Sequence, residues 1–222
     1  MQPDELARYL DHTCLKATAT PEMIDALCRE ARDWAMASVC VPPAYIREAR
    51  ARLRNTEVRV GTVIGFPFGY SASSVKLVEA KTARQHGAEE LDVVLQLGRF
   101  KGGERRGVEE ELRGIVQATP ELTHKVIIEC PSLTEEEMRA AVQIVLNAGA
   151  AFVKTSTGFG PNGARLEDVQ LLVEEAAGRL KVKASGGIRT LDAALTFIEA
   201  GATRIGTSAA AEILSEASAR SE

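Results

Sequence analysis

The sequence predicts a single-domain α/β protein, a (β/α)8 TIM barrel over residues 1–222. Eight short apolar runs alternate with longer amphipathic stretches along the chain. Three of those stretches end on glycine, in "HGA", "NAGA" and "EAGA", and the next apolar run follows within a few residues. No Pro/Ser-rich linker or low-complexity tract divides the chain. Strands that alternate with helices build parallel βαβ units, and eight such units in one domain suggest a closed barrel. A doubly wound open sheet is the alternative, but no G-x-G-x-x-G follows the first strand.

In chain order, strands are expected over 9–13 (YLDHT), 37–41 (ASVCV), 58–64 (VRVGTVI), 89–95 (EELDVVL), 124–129 (HKVIIE), 151–155 (AFVKT), 180–184 (LKVKA) and 203–206 (TRIG). Helical patterns lie between them over 21–34, 43–53, 71–87, 104–118, 134–148, 165–178 and 190–200, and a last helix is expected over 207–218. Thr134 with Glu137 has the spacing of a capping box. Gly87, Gly149 and Gly201 stand at helix stops, where a left-handed cap costs least. The segment "RFKGGERRG" over 99–107 is charged and glycine-rich and reads as a mobile loop.

With 222 residues, 45% apolar and 26% charged, the chain has an ordinary globular composition and can bury a sizeable core. A formal net charge of −4 argues against a general nucleic-acid binder. It leaves an anionic small substrate open, because local charge and backbone N–H groups decide that. "MQPDELARYL" lacks the basic-then-apolar order of a signal peptide. No apolar run approaches a membrane span. Cys14, Cys28, Cys40 and Cys130 form no C-x-x-C pair and suggest neither a disulfide framework nor a zinc site. A reducing cytoplasm, with neither membrane nor nucleic acid as partner, is the simplest reading.

Two lysines interrupt apolar strands. "AGAAFVKTSTGFG" places Lys154 near the end of the sixth strand, and "KVKASGGIR" places Lys183 near the end of the seventh. Both segments share V-K-x-S-x-G. In a barrel of this kind the active site lies at the strands' C-terminal ends. Strand alternation groups Phe152, Lys154 and Ser156 on one face, Lys181, Lys183 and Ser185 on another, Glu90, Asp92 and Val94 on the fourth strand, and Lys125, Ile127 and Glu129 on the fifth. If these faces point inward, lysines and carboxylates meet at the barrel mouth. A buried lysine must be neutralised, paired or used. Desolvation and a second ammonium both lower its pKa, and the neutral amine can attack a carbonyl to form a Schiff base. The blander reading pairs each lysine with Asp92 or Glu129. Repetition of the frame at the catalytic end favours function. Lys125 begins its strand, a position at the bottom rim.

The glycine-rich ends of the last two strands form a second constellation. Gly186 and Gly187 follow the seventh strand, and Gly206, Thr207 and Ser208 open the last helix. Phosphate sites in this fold use these loops and a helix N-terminus. Arg189 is a candidate for added charge. His12, His86 and His124 are scattered and form no ligand set, which leaves a zinc-dependent aldolase without support. Each reads as a structural or surface histidine. Cys40 ends the second strand and reads as an inert small core residue. "GFPFGY" over 65–70 is a turn-rich loop at the catalytic end, read either as pocket lining or lid or as aromatic loop packing.

Taken together, "YLDHTCLK", "SVCV", "VIGFPFG", "ELDVVLQLG", "KVIIE", "FVKTSTGF", "KVKASGGIR" and "RIGTS" resemble the deoxyribose-phosphate aldolase family, in order over nearly the whole chain. The resemblance implies a class I aldolase without metal or cofactor that reversibly cleaves 2-deoxy-D-ribose 5-phosphate to D-glyceraldehyde 3-phosphate and acetaldehyde, in deoxyribose phosphate catabolism. It implies Lys154 as the Schiff-base lysine, Lys183 as the neighbour that keeps it neutral, and Asp92 in a proton relay. Lys125 is implied to help that network and is grouped with the substrate-binding residues. Gly186, Gly187, Gly206 and Ser208 are implied to take the phosphate. A homodimer is expected by analogy. Pro42, Gln96 and Cys130-Pro131 depart from the family pattern, and "SEASARSE" lacks the C-terminal tyrosine that assists proton transfer in some members. The competing readings are another imine-forming barrel, transaldolase-like or acting on keto-acid phosphates, and a non-catalytic sugar-phosphate sensor.

Overall fold

A computed structural model describes residues 1–221. All eight strands are parallel and close in sequence order into one barrel. The chain opens with α1 (Pro3–Ala7), β1 (Leu10–Thr13), α2 (Pro21–Asp33) and β2 (Ser38–Val41). A 3₁₀ turn (Pro43–Tyr45), α3 (Ile46–Arg52), β3 (Arg59–Ile64), α4 (Ser73–His86) and β4 (Glu90–Val94) follow. Next come α5 (Leu97–Lys101), α6 (Arg105–Ala118), β5 (Thr123–Ile127), a 3₁₀ turn (Cys130–Ser132) and α7 (Glu135–Ala148). The chain ends with β6 (Phe152–Lys154), α8 (Leu166–Ala176), β7 (Lys181–Ser185), α9 (Leu191–Glu199), β8 (Arg204–Thr207) and α10 (Ala210–Ala219).

Period-2 alternation sorts each strand between two environments. Val39 and Val41, Leu91 and Val93, Val126, Val153 and Val182 join the apolar layer between strands and helices. Their neighbours Cys40, Asp92, Lys125, Lys154 and Lys183 point the other way, into the barrel. Register places Lys154 opposite Lys183, Asp92 opposite Lys125, and Asp11 opposite Gly206. One layer of the barrel is therefore charged, and the local alternation of five strands is what makes it so.

Helix ends follow local chemistry. Thr134 and Glu137 form the expected capping box at α7. Gly87 and Gly149 cap α4 and α7 in the left-handed region, at φ 99° and 83°. Three segments differ from the sequence reading. The segment 99–107 is no open loop: α5 ends at Lys101, Phe100 is buried, and α6 starts at Arg105. Burial of one aromatic holds a turn that its charge and glycines disguise. The last helix starts at Ala210, because Thr207 still belongs to β8 and its Oγ1 accepts from the N–H of Ala209. Helix α1 has too few residues to show a period.

Candidate active site

Lys125, Lys154 and Lys183 meet Asp11, Glu90 and Asp92 inside the barrel, all of them buried. The ammonium of Lys183 donates to Asp11 Oδ2 at 2.5 Å and to Asp92 Oδ2 at 2.8 Å. Lys154 donates to the same Asp92 oxygen at 2.7 Å. Lys125 donates to Glu90 at 2.5 Å and to Asp92 Oδ1 at 3.0 Å. Arg204 completes the set through Asp11 and Glu90. Three lysines and Arg204 thus face three carboxylates in this layer, with the half-exposed Arg59 3.9 Å from Glu90 at its edge.

Electrostatics separate the three lysines. Burial pushes Lys154 below the ordinary lysine value, and the Lys183 ammonium adds to the push against the pull of Asp92. Burial acts on Lys183 as well, but Asp11 and Asp92 outweigh it and hold that lysine charged, above the ordinary value. Lys125 is likewise held charged against burial by Asp92, Glu90 and Asp11. Burial would raise Asp92, yet its three lysines keep the carboxyl well below the usual range. Lys154 has a single carboxylate contact, shared with two other cations, and that is the physical reason for the asymmetry.

Access points to the same residue. A cavity of about 410 Å³ at the C-terminal ends of the strands has Lys154 in its wall. Lys183, Asp92 and Lys125 stand behind that wall. Gly186, Gly187, Gly206 and Ser208 line the same cavity, together with Thr157, Gly158 and Arg189. Gly186 and Gly187 have φ of 95° and 76°, a left-handed pair that a side chain would strain. A Cβ on Gly206 would stand 2.9 Å from Cβ of Ser185. Thr207 Oγ1 donates to Ile188 O at 2.6 Å, tying the two glycine loops together. Near the lysine, Ser185 N donates to Thr155 Oγ1 at 3.0 Å, and Ser185 Oγ donates to Ser156 O at 2.7 Å. The ends of β6 and β7 are therefore fixed to one another. The arrangement offers a depressed amine and exposed glycine backbone in the wall of one cavity.

Lys125 was expected among the substrate-binding residues, and the structure places it elsewhere. Its ammonium is consumed by carboxylates one layer below the cavity, and its side chain is 1% exposed. His12 was expected to be merely structural. It lines the cavity beside Glu30, with Nε2 2.7 Å from Oε2. His124 fits the structural reading: it is buried against Thr119 Oγ1, and burial lowers its pKa to about 4. Cys40 faces the charged layer, and burial followed by Asp92 raises its thiol to about 11. The 65–70 loop does not line this cavity; Phe66 packs edge-on against Phe159 at 5.3 Å, and Phe68 stacks on Tyr70. Sequence reasoning passed over Asp11 and Arg204. Both break apolar strands with the same inward parity as the lysines, which was the available signal.

A model of the DeoC/LacD family of aldolases matches residues 6–215. The chain is 48% identical to a deoxyribose-phosphate aldolase of Streptococcus pneumoniae over 95% of this chain and 96% of the relative. It is 47% identical to a deoxyribose-phosphate aldolase of Thermus thermophilus over 92% and 93% of the two chains. The structure of a tetrameric deoxyribose phosphate aldolase from Aeropyrum pernix superposes with a TM-score of 0.91 at 37% identity, over 97% of this chain and 92% of that one.

Proposed function

The chain belongs to the DeoC/LacD family of aldolases, and from that premise we propose that it cleaves 2-deoxy-D-ribose 5-phosphate reversibly through a Schiff base on Lys154. The observation that carries this reading is the asymmetry among the three barrel lysines. Of these three, Lys154 alone lines the cavity and Lys154 alone is pushed toward the neutral amine.

The amine attacks the C1 aldehyde of the open-chain sugar, and loss of water from the carbinolamine leaves the imine. Removal of the C3 hydroxyl proton breaks the C2–C3 bond. The C3 carbon leaves as the aldehyde of D-glyceraldehyde 3-phosphate, and the electron pair stays on C2 as an enamine. Protonation at C2 and addition of water release acetaldehyde and restore the amine. Lys183 and Asp92, in contact with each other and both adjoining Lys154 through one oxygen, are the groups placed to move these protons. Gly186, Gly187, Gly206 and Ser208 hold the phosphate through N–H groups and a hydroxyl. No metal enters this scheme, and among the described residues no three His, Cys, Asp or Glu side chains are grouped to hold one.

Incubation with acetaldehyde followed by borohydride tests the reading. An ethyl group on Lys154, located by mass spectrometry, is the expected result. A folded wild-type protein without that adduct would refute the imine. A substrate screen separates this aldolase from a transaldolase-like enzyme, since only the former takes acetaldehyde as donor. Homodimerisation and a cytoplasmic site of action complete the reading. Light scattering and cell fractionation test them.

A further inference from the structure

We propose that Glu129 is a positioning residue for this reaction, holding in place the loop that follows the Schiff-base lysine. The inference rests on the aldolase reading above. Glu129 lies just beyond β5, not in the cavity that holds Lys154. Its backbone is left-handed at φ 53°, which a non-glycine residue adopts only when its surroundings require it. The residue is 5% exposed. Oε2 accepts from the N–H of Thr157 at 3.1 Å, across 28 residues of chain. Oε1 is buried without a hydrogen-bond partner, and a Cβ on Gly160 would stand 2.8 Å from it. A glycine is thus what lets the loop lie against the carboxylate.

Thr157 and Phe159 line both the active cavity and a second cavity of about 400 Å³, whose wall also includes Glu129 and Gly160. The Thr157–Phe159 segment is therefore a partition between two spaces, three to five residues after Lys154. Thr157 Oγ1 accepts from the N–H of Phe159 at 3.1 Å, so the partition is a tight turn. Among the described residues, Glu129 supplies the Thr157 N–H with its acceptor from outside that turn. A carboxylate that keeps an unpartnered oxygen buried while accepting one backbone N–H costs stability. Holding a wall of the reaction cavity gives that cost a use, because small misplacements at a reacting centre cost large factors in rate.

The test compares Glu129→Gln with Glu129→Ala. Glutamine keeps an acceptor for Thr157 and should retain kcat within about threefold of wild type. Alanine removes it, and kcat should fall by about tenfold to a hundredfold. In the alanine variant the Thr157 amide should also exchange with deuterium faster, and it should stay protected in the glutamine variant. Unchanged kcat in a folded alanine variant overturns the proposal, as does a glutamine variant as slow as alanine. If the alanine variant does not fold, Gly160→Ala decides. Its methyl group pushes on Oε1 without altering the carboxylate, so kcat should fall several-fold, and an unchanged kcat overturns the proposal. Borohydride trapping on the wild-type protein keeps the two readings apart: absence of an adduct there defeats the aldolase, whereas the Gln-against-Ala comparison defeats only the role of Glu129.

Discussion

Two regions of the molecule bury a lysine 2.7 Å from a carboxylate. One is Lys154 with Asp92 inside the barrel, and the other is Lys76 with Glu111 between α4 and α6. Burial is the leading cause of a lowered pKa in both. Their surroundings differ. Lys76 donates to Glu111 and to the carbonyl of Val94 at 2.9 Å, and Ser73 Oγ donates to the other oxygen of Glu111 at 2.6 Å. It is 0% exposed and reaches neither cavity. Lys154 shares its carboxylate with two further ammonium groups and opens onto a cavity lined by Gly186, Gly187 and Gly206. A depressed lysine is therefore not by itself a sign of chemistry. Access and further cations at the same carboxylate separate a candidate nucleophile from a bolt between elements.

The sharpest way to break this comparison is to replace each lysine by methionine. Lys154→Met should lose the borohydride adduct and at least about a thousandfold in kcat/KM. Comparable loss in a folded Lys76→Met, with Lys154→Met still active, would invert the assignment.

Changing the phosphate end of the cavity should come next in size. Ser208→Asp places a negative charge beside the glycine loops. It should lower kcat/KM for the phosphorylated sugar by about tenfold to a hundredfold and leave the unphosphorylated sugar nearly unaffected. Equal loss on both sugars would place the phosphate elsewhere.

The second cation can be removed directly. Lys183→Met deletes an ammonium that pushes Lys154 down and leaves Asp92 freer to pull it up, so the pKa of Lys154 should rise. Fewer molecules then carry the free amine at neutral pH. Activity at pH 7 should fall by about tenfold or more, and trapping should recover in alkaline buffer. A pH profile that drops without shifting would leave Lys183 its part in proton transfer and remove its electrostatic one.

Acid should act on the barrel layer. Asp11 and Asp92 both have folded pKa values below the ordinary aspartate value of 3.8. Their contribution is complete above the unfolded value and is lost as pH falls from about 4 toward the lower folded values. The melting temperature should therefore drop below pH 4, and by less in Asp92→Asn, measured against that variant's own neutral value. The smallest effect on rate belongs to Lys76→Met, which should cost roughly 3 kcal/mol of stability by stranding a buried Glu111 while kcat stays within about threefold of wild type. Calorimetry and steady-state rates on the same sample check both halves.

Much of this was legible in the residues. The strand positions, the inward parity of Asp92, Lys154 and Lys183, and the glycine cradle all follow from patterns a few residues long. Lys125 was read both at the bottom rim and among the substrate-binding residues, and parity alone does not choose between them. Its parity was right, but its height along the barrel axis sets it among Glu90 and Asp92, below the cavity. The helical turn at Phe100 stayed hidden because its signal was a single aromatic amid charge and glycine.

By itself the sequence determined the eight βα units and which side of each strand carries charge, because alternation, caps and turn chemistry act between near neighbours in the chain. It did not decide which of two lysines in the same local frame is pushed toward the neutral amine. That depends on Asp11, 172 residues from Lys183 in the chain, on Arg204, 193 residues from Asp11, and on which ammonium the cavity reaches. Only closing β8 onto β1 brings those groups together. A pKa is set by distance and desolvation in space, and neither is local in sequence.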